Sequence, residues 1–298
     1  MRSAFRRRAV AIVVSLAAIS GIEIILAAAA ASNRTVYVSV VDGKGNPLSD
    51  LTAADFKVKE GGKDREIVRA ETAKAPAHIA LMVEERLGVD QSVRIGLFEF
   101  VKRMAGNAEI SLISVALRNH ELTPFSSDAN VVLKAINDFT RNPNPTSNLT
   151  EGINDIAKKF DQENPTRPIV VVVAMSGGQA GAEPKSVLNQ LRQSGATLYA
   201  VTFGNASDNR NPMLGTMADE SGREQVIGDG AKQSGGRRFD VVTTGAIPKA
   251  LQDIANDIMS QYAITYALPE GVKPDKRFSI STDRKGVSLR APSAIPDK

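Results

Sequence analysis

The sequence predicts an α/β fold in which a doubly wound, mainly parallel sheet is joined by a small β domain built from strands of both chain ends. Three observations carry this reading. Continuous apolar runs at Ile79–Val83, Ile110–Ala116, Ile169–Ala174 and Thr197–Phe203 have the composition of strands buried on both faces. Between them lie segments whose apolar residues recur at helical spacing. Before and after them, short alternating runs separated by turn formers read as further strands.

From the N-terminus, Arg2, Arg6, Arg7 and Arg8 precede an apolar stretch, Ala9 to Ile22, and then the small residues Ala27 to Ala31. This is the pattern of an export signal cleaved near Ala31. The other reading is an uncleaved membrane anchor. Glu23 argues against it, since a carboxylate near mid-bilayer costs roughly 2–3 kcal/mol. Nothing else resembles a transmembrane helix, so the expectation is an exported protein, periplasmic or extracellular, with no membrane span after cleavage.

The whole chain carries a formal +4, but residues 1–31 hold four arginines against one glutamate, which leaves the remainder near +1. No electrostatic case for nucleic acid survives that correction. There are no cysteines, so the core alone must stabilise an exported chain.

Val36 to Val41 alternates as a strand, and Asp42 to Pro47 is dense in turn formers. Leu51 to Phe56 reads as a helical turn, Phe56 to Glu60 as a strand, Gly61-Gly62 as a hairpin, and Arg65 to Ala70 as the returning strand. The first core helix uses Val93, Leu97, Phe100, Val101 and Met104. The next follows Asp128 and uses Val132, Leu133, Ile136 and Phe139. A third uses Leu149, Ile153, Ile156 and Phe160, with Asn148 and Glu151 as an N-cap pair. A fourth starts at Pro184 and stops at Gly195. Gly222 to Gly236 reads as a flexible connection. A last helix spans Pro248 to Gln261, and strands follow at Tyr262–Leu268, Phe278–Thr282 and Gly286–Leu289. The expected organisation is a signal at 1–31, an N-terminal β unit at 32–75, an α/β domain at 76–262, and C-terminal strands at 263–298 that pair with the N-terminal unit.

Several stretches together resemble a known family. VYVSVVDGKGNPLSDLTAADFKVKEGGKDREI, HIALMV, PIVVVVAMSGG, SGATLYAVTFG, SGGRRFDVV and ALQDIANDIMSQYAITYALP follow in the order found in the von Willebrand factor A-type fold. The resemblance is specifically to the exported bacterial group called vWFA-related, common in acidobacteria. It implies a Rossmann-like sheet with a metal-ion-dependent adhesion site (MIDAS) at the C-terminal strand ends, where such sheets bind ligands. The implied pattern is Asp-x-Ser-x-Ser after the first strand, a Thr in a middle loop and an Asp after the central strand. Here Glu84 stands at the first Asp, Arg86 and Gly88 at the two Ser, Ser147 at the Thr and Ser176 at the second Asp.

These substitutions remove the ligands. Mg²⁺ takes hard oxygen ligands at near-octahedral geometry. Gly88 supplies no side chain, Ser176 removes a charge, and Arg86 brings a fixed positive charge that repels a divalent ion by several kcal/mol at an effective dielectric of about 20. The expectation is a degenerate, metal-free site with no cofactor, whose rim (Glu84, Glu85, Arg86, Gly88, Ser147 and Ser176) contacts an unknown protein partner. Three states of that rim stay open: the loop is inert, Arg86 receives an acidic group of the partner, or Glu84 or Glu85 silences Arg86 in an internal ion pair.

Catalysis has little raw material. The histidines are His78 and His120, and Ser176 lacks the Gly-x-Ser-x-Gly elbow. The expectation is therefore a protein that is not an enzyme. Two alternatives remain: an anion- or nucleotide-binding enzyme using the Gly177–Gly181 loop, and a domain of the same type that still binds a divalent metal. The loop lacks the Gly-Lys-Ser/Thr ending of a P-loop. Asn142 to Pro145 reads as a stiff turn holding Ser147 at the rim, and Asn205 to Asn211 as a polar loop beside it.

Overall fold

The computed structural model describes residues 32–88, 90–140, 147–176, 181–204 and 217–296. The chain runs through β1 (Ser32–Asp42), a 3-10 turn at Ala53–Asp55, β2 (Phe56–Glu60), β3 (Lys63–Arg65) and β4 (Ile67–Thr72). Next come β5 (Ala77–Glu84), the single turn α1 (Glu85–Gly88), α2 (Gln91–Met104), β6 (Ala108–Val115), β7 (His120–Ser126), α3 (Ala129–Asp138) and α4 (Leu149–Glu163). They are followed by β8 (Pro168–Met175), α5 (Pro184–Ser194), β9 (Thr197–Phe203), α6 (Met217–Gln233), β10 (Arg237–Val241) and α7 (Ile247–Ser260). The chain closes with β11 (Tyr262–Leu268), β12 (Phe278–Thr282) and β13 (Val287–Arg290). The export segment, Asn142–Pro145, Gly177–Ala180 and Asn205–Asn211 lie outside the described residues. Among the described residues no helix is long and apolar enough to cross a membrane.

The central sheet has the order β10-β9-β8-β5-β6-β7, parallel throughout except for β7. Its inner strands β5, β8 and β9 are nearly continuous apolar runs because both faces are covered. Ile79, Leu81, Val83, Val171 and Val201 point into a core with α2, α3 and α7. Ala80, Met82, Val170, Val172 and Ala200 point into a second core with α4, α5 and α6. Successive residues of a strand face opposite sides, so a continuous apolar run feeds both cores. The chain passes from β5 to β6 on one side and reaches β8 on the other. The C-terminal ends of β5 and β8 therefore flank the crevice where sheets of this kind bind ligands.

Local signals set the helix ends. Asp90 accepts hydrogen bonds from Ser92 N and Val93 N to cap α2, and Asp128 accepts one from Asn130 N to cap α3. Pro184 opens α5, and Gly195 closes it at φ +69°, a left-handed conformation that glycine adopts without a Cβ penalty. The expected cap pair of α4 is corrected: Asn148 makes no side-chain cap bond, and its Nδ2 donates instead to Leu117 O at 2.8 Å.

The terminal strands pair with one another. One sheet has the order β13-β1-β11-β4 and a second the order β12-β2-β3. Val36, Val38, Phe56, Val58, Tyr262, Ile264, Tyr266 and Phe278 fill the core between them. Two expectations need correction here. The single returning strand Arg65–Ala70 splits at Glu66, because Lys63–Arg65 pairs with β2 while Ile67–Thr72 pairs with β11 in the other sheet. The flexible connection expected at Gly222–Gly236 is mostly helix α6. Arg223, Val226, Ile227, Gly230 and Ala231 are buried at i, i+3, i+4, i+7 and i+8, which is one helical face.

A polar seam ties the terminal strands to the α/β body. Arg290 on β13 donates to Asp257 Oδ1 on α7 at 2.5 Å, and Tyr199 OH donates to Asp257 Oδ2 at 2.9 Å. Gln261 Nε2 donates to that phenol oxygen, and Arg167 Nη2 donates to Gln261 Oε1 at 2.7 Å. Burial and the adjacent Asp257 carboxylate hold the Tyr199 phenol well above its ordinary range. Asp257→Ala strands a guanidinium and a phenol at once. Arg290 keeps a quarter of its side chain in water, so a loss of about 2–3 kcal/mol by urea denaturation is expected rather than the larger cost of a fully buried pair.

Candidate functional site

Glu84 is the last residue of β5, and its carboxylate is 1% exposed. Oε1 accepts from Arg223 Nη2 at 2.8 Å, and Oε2 accepts from the Met175 backbone N–H at 2.6 Å. The same Arg223 Nη2 donates to Met175 O at 2.8 Å. One guanidinium from α6 thus joins the ends of the two strands that flank the crevice. Burial pushes the Glu84 carboxyl upward, but the Arg223 charge, the neighbouring Ser147 hydroxyl and the Met175 N–H outweigh it and hold the group below the usual carboxylate range. Arg223 is fully buried, and its Nε and Nη1 find no hydrogen-bond partner among the described residues.

The other rim residues lie around this pair. Glu85 opens α1 and turns towards β6, where its Oε1 accepts from Ser114 Oγ at 2.6 Å; its buried Oε2 has no partner. Arg86 is half-buried, its Nε is likewise without a partner, and it forms no ion pair among the described residues. Of the three states left open for the rim, the internal pairing of Arg86 with Glu84 or Glu85 is therefore absent there. Glu84 is committed to Arg223, and Glu85 to Ser114. Gly88 closes α1. Ser147 is buried ahead of α4, and its Oγ sits beside the Glu84 carboxylate without forming a full hydrogen bond. Ser176 donates its N–H to Phe203 O at 2.8 Å and its Oγ–H to Gly204 O at 2.6 Å. Thr150 Oγ1 accepts from Gly181 N at 2.7 Å and Ala182 N at 2.9 Å, which ties the loop after β8 to α4. The Gly181 amide is therefore already engaged, and the rest of the Gly177–Gly181 anion reading lies outside the described residues.

The two histidines stand apart. His78 is the second residue of β5, at the end opposite Glu84; it stacks on Phe125 with ring centres 3.7 Å apart and places Nδ1 3.1 Å from Glu109 Oε2. His120 is exposed at the start of β7, opposite Ser114 in the register. Among the described residues no group of three or more His, Cys, Asp or Glu is placed to hold a metal ion.

Arg223 was not among the expected site residues. Its signal is the buried face of α6, where it stands with Val226, Ile227, Gly230 and Ala231. Gly222, Gly228 and Gly230 break the apolar pattern along the same helix and hide it.

Residues 90–233 match the family model of the von Willebrand factor type A domain. Among solved structures, proximal thread matrix protein 1 from the mussel byssus, determined with a zinc-occupied MIDAS motif, is similar at 14% identity and TM-score 0.49, over 67% of this chain and 49% of that one. This chain thus spans about half the length of the byssus protein. The von Willebrand factor domain of the type V pili tip protein Mfa5 from Porphyromonas gingivalis is similar at 12% identity and TM-score 0.45, over 62% and 96% of the two chains. A von Willebrand factor type A protein from Catenulispora acidiphila is similar at 8% identity and TM-score 0.48, over 90% and 75%. Among curated proteins, none matches the sequence.

Proposed function

We propose that this chain, whose residues 90–233 match the von Willebrand factor type A domain, is an exported member of the bacterial vWFA-related group and a metal-independent protein-interaction module, not an enzyme. The observation that carries the reading is the Glu84–Arg223 pair: both oxygens of the carboxylate nearest the adhesion-site position are engaged, one of them by a cation 2.8 Å away. Gly88 has no ligand to offer, and the Ser176 hydroxyl is directed to Gly204 O. A divalent ion needs several hard oxygen ligands in near-octahedral geometry, and of the Glu84 and Glu85 carboxylate oxygens just one, the buried Glu85 Oε2, is left without a partner among the described residues. These residues do not fit it.

On this reading the half-buried Arg86 is the contact to the partner, as donor for an acidic side chain, while Glu84, Glu85, Ser147 and Ser176 are buried beneath it and hold the site in shape. A guanidinium prefers a carboxylate, and this one has no internal ion pair among the described residues. The same reading divides the chain into a removed signal at 1–31, a β unit at 32–75, the α/β domain at 76–262 and closing strands at 263–298. N-terminal sequencing of the protein from its native envelope is expected to start near residue 32.

Metal titration tests the central point. A site at about 100 times its Kd in free ion would add about 2.7 kcal/mol and raise the melting midpoint by roughly 5–10 °C. We expect no shift with Mg²⁺, Mn²⁺ or a chelator, and no stoichiometric heat. Micromolar stoichiometric binding of either ion would overturn the reading. Proximity labelling in the envelope then tests the rim, because Arg86→Glu is expected to abolish labelling of a partner that the unsubstituted protein labels.

A further inference from the structure

We propose a second binding site, independent of the rim: a cleft for multivalent oxyanions between the terminal β strands and the α/β body. A cavity of about 440 Å³ opens there, with Lys44, Arg237, Lys249 and Arg290 in its walls against Asp253 and Asp257. Four cations face two carboxylates, and both carboxylates are already neutralised. Asp253 pairs with Lys249 one helical turn away, and Asp257 accepts from Arg290 at 2.5 Å and from Tyr199 at 2.9 Å. Lys44 and Arg237 form no ion pair among the described residues, and the buried Nε of Arg290 has no partner there. The mature chain is close to neutral, so this surplus is a local feature and not part of a general basic surface.

The donors are also held in place. Asp42 Oδ1 accepts from the backbone N–H of Lys44 and of Asn46, each at 2.8 Å, which fixes the turn that presents Lys44. The Arg237 guanidinium stacks over the Phe239 ring, 4.3 Å from its centre, leaving its N–H edge for a ligand. An arginine edge recognises two oxygens of a phosphate or sulfate at once, while a lysine adds a point charge. Small-molecule ligand sites commonly have volumes of about 300–1,000 Å³, a range into which this cavity falls. The donors come from four separate elements, the turn after β1, β10, α7 and β13. A ligand with two or three linked phosphate or sulfate groups suits donors spread in this way better than a single oxyanion does.

Isothermal titration of the full chain with inorganic tripolyphosphate, and separately with a trisulfated disaccharide, tests the site at constant ionic strength. At least one of them is expected to bind with one-to-one stoichiometry, at least tenfold more tightly than inorganic monophosphate. Binding is expected to fall at least tenfold in Lys44→Gln/Arg237→Gln and to be unchanged in Arg86→Glu. Both replaced side chains are exposed, so the double variant is expected to melt with the parent. If only the phosphate ligand binds, the natural ligand is a phosphorylated compound; if only the sulfated sugar binds, it is a sulfated glycan. Failure of both to bind at millimolar concentration, or equal binding by the double variant, overturns the proposal, whatever becomes of the rim.

Discussion

Arg223→Leu is expected to cost roughly 3–5 kcal/mol of folding stability, because it leaves the Glu84 carboxylate buried without its cation. Side-chain exposures of 0% for Arg223 and 1% for Glu84 mean that water cannot replace what the substitution removes. The paired variant Glu84→Leu/Arg223→Leu should recover most of that loss, since removing both charges together leaves neither stranded. Urea denaturation of the parent, the single variant and the pair forms the test. A single-variant loss under about 1 kcal/mol would mean that the pair does not close the site. The pH dependence provides a second check. The Glu84 carboxyl in the folded protein lies below its ordinary value, so its contribution is complete above the unfolded value, about 4.3. That contribution is lost as the pH falls through the depressed folded value. In Arg223→Leu the unpaired carboxyl favours the protonated form instead. The deficit relative to the parent should therefore shrink as the pH is lowered from about 7 towards 4.

The contrast between Glu84 and its partner explains which parts of this protein were legible in the sequence. Strands β5, β6, β8 and β9 were readable because burial on both faces forces unbroken apolar runs, and α2 because its buried residues keep a strict helical period. The ends of β5 and β8, which carry Glu84 and lead into Ser176, were readable for the same reason. What the rim does with its charges was not. The cation that engages Glu84 lies 139 residues away, on a helix whose glycines mask its apolar stripe. Arg86, two residues from Glu84, was the natural local candidate. Tertiary packing gave the role to a residue that no local pattern connects with it. Asn148 shows the same limit: its sequence context is that of a cap, but a carbonyl on the neighbouring loop takes its side chain.

Gly236→Ala is expected to cost more than about 3 kcal/mol, or to prevent folding, although it adds a single methyl group. A Cβ at this position would lie 1.9 Å from Leu198 O and 2.7 Å from Leu198 C. Both contacts are backbone, so no rotamer change relieves them. Nor can either backbone retreat. Gly236 N–H donates to Ala231 O at 2.9 Å at the end of α6, and Arg237 next to it pairs with Tyr199 in the sheet. Leu198 lies in β9 between β8 and β10, and its N–H donates to Ser234 Oγ at 2.8 Å. The methyl therefore has to lift β10 off the sheet edge, well beyond the roughly 1–3 kcal/mol of ordinary overpacking. Gly152→Ala is the informative control. Its added Cβ would lie 2.6 Å from Asn119 Nδ2 and 2.7 Å from Met82 Cε, the ends of flexible side chains that can swing aside. Alanine in the α4 interior also recovers up to about 1 kcal/mol of helix propensity. Urea midpoints are expected to show a loss of about 2 kcal/mol or less for Gly152→Ala and a far larger one for Gly236→Ala. A Gly236→Ala protein within about 1 kcal/mol of the parent would mean that β10 is not docked against β9 at this register, and the seat of α6, from which Arg223 reaches Glu84, would fall with it.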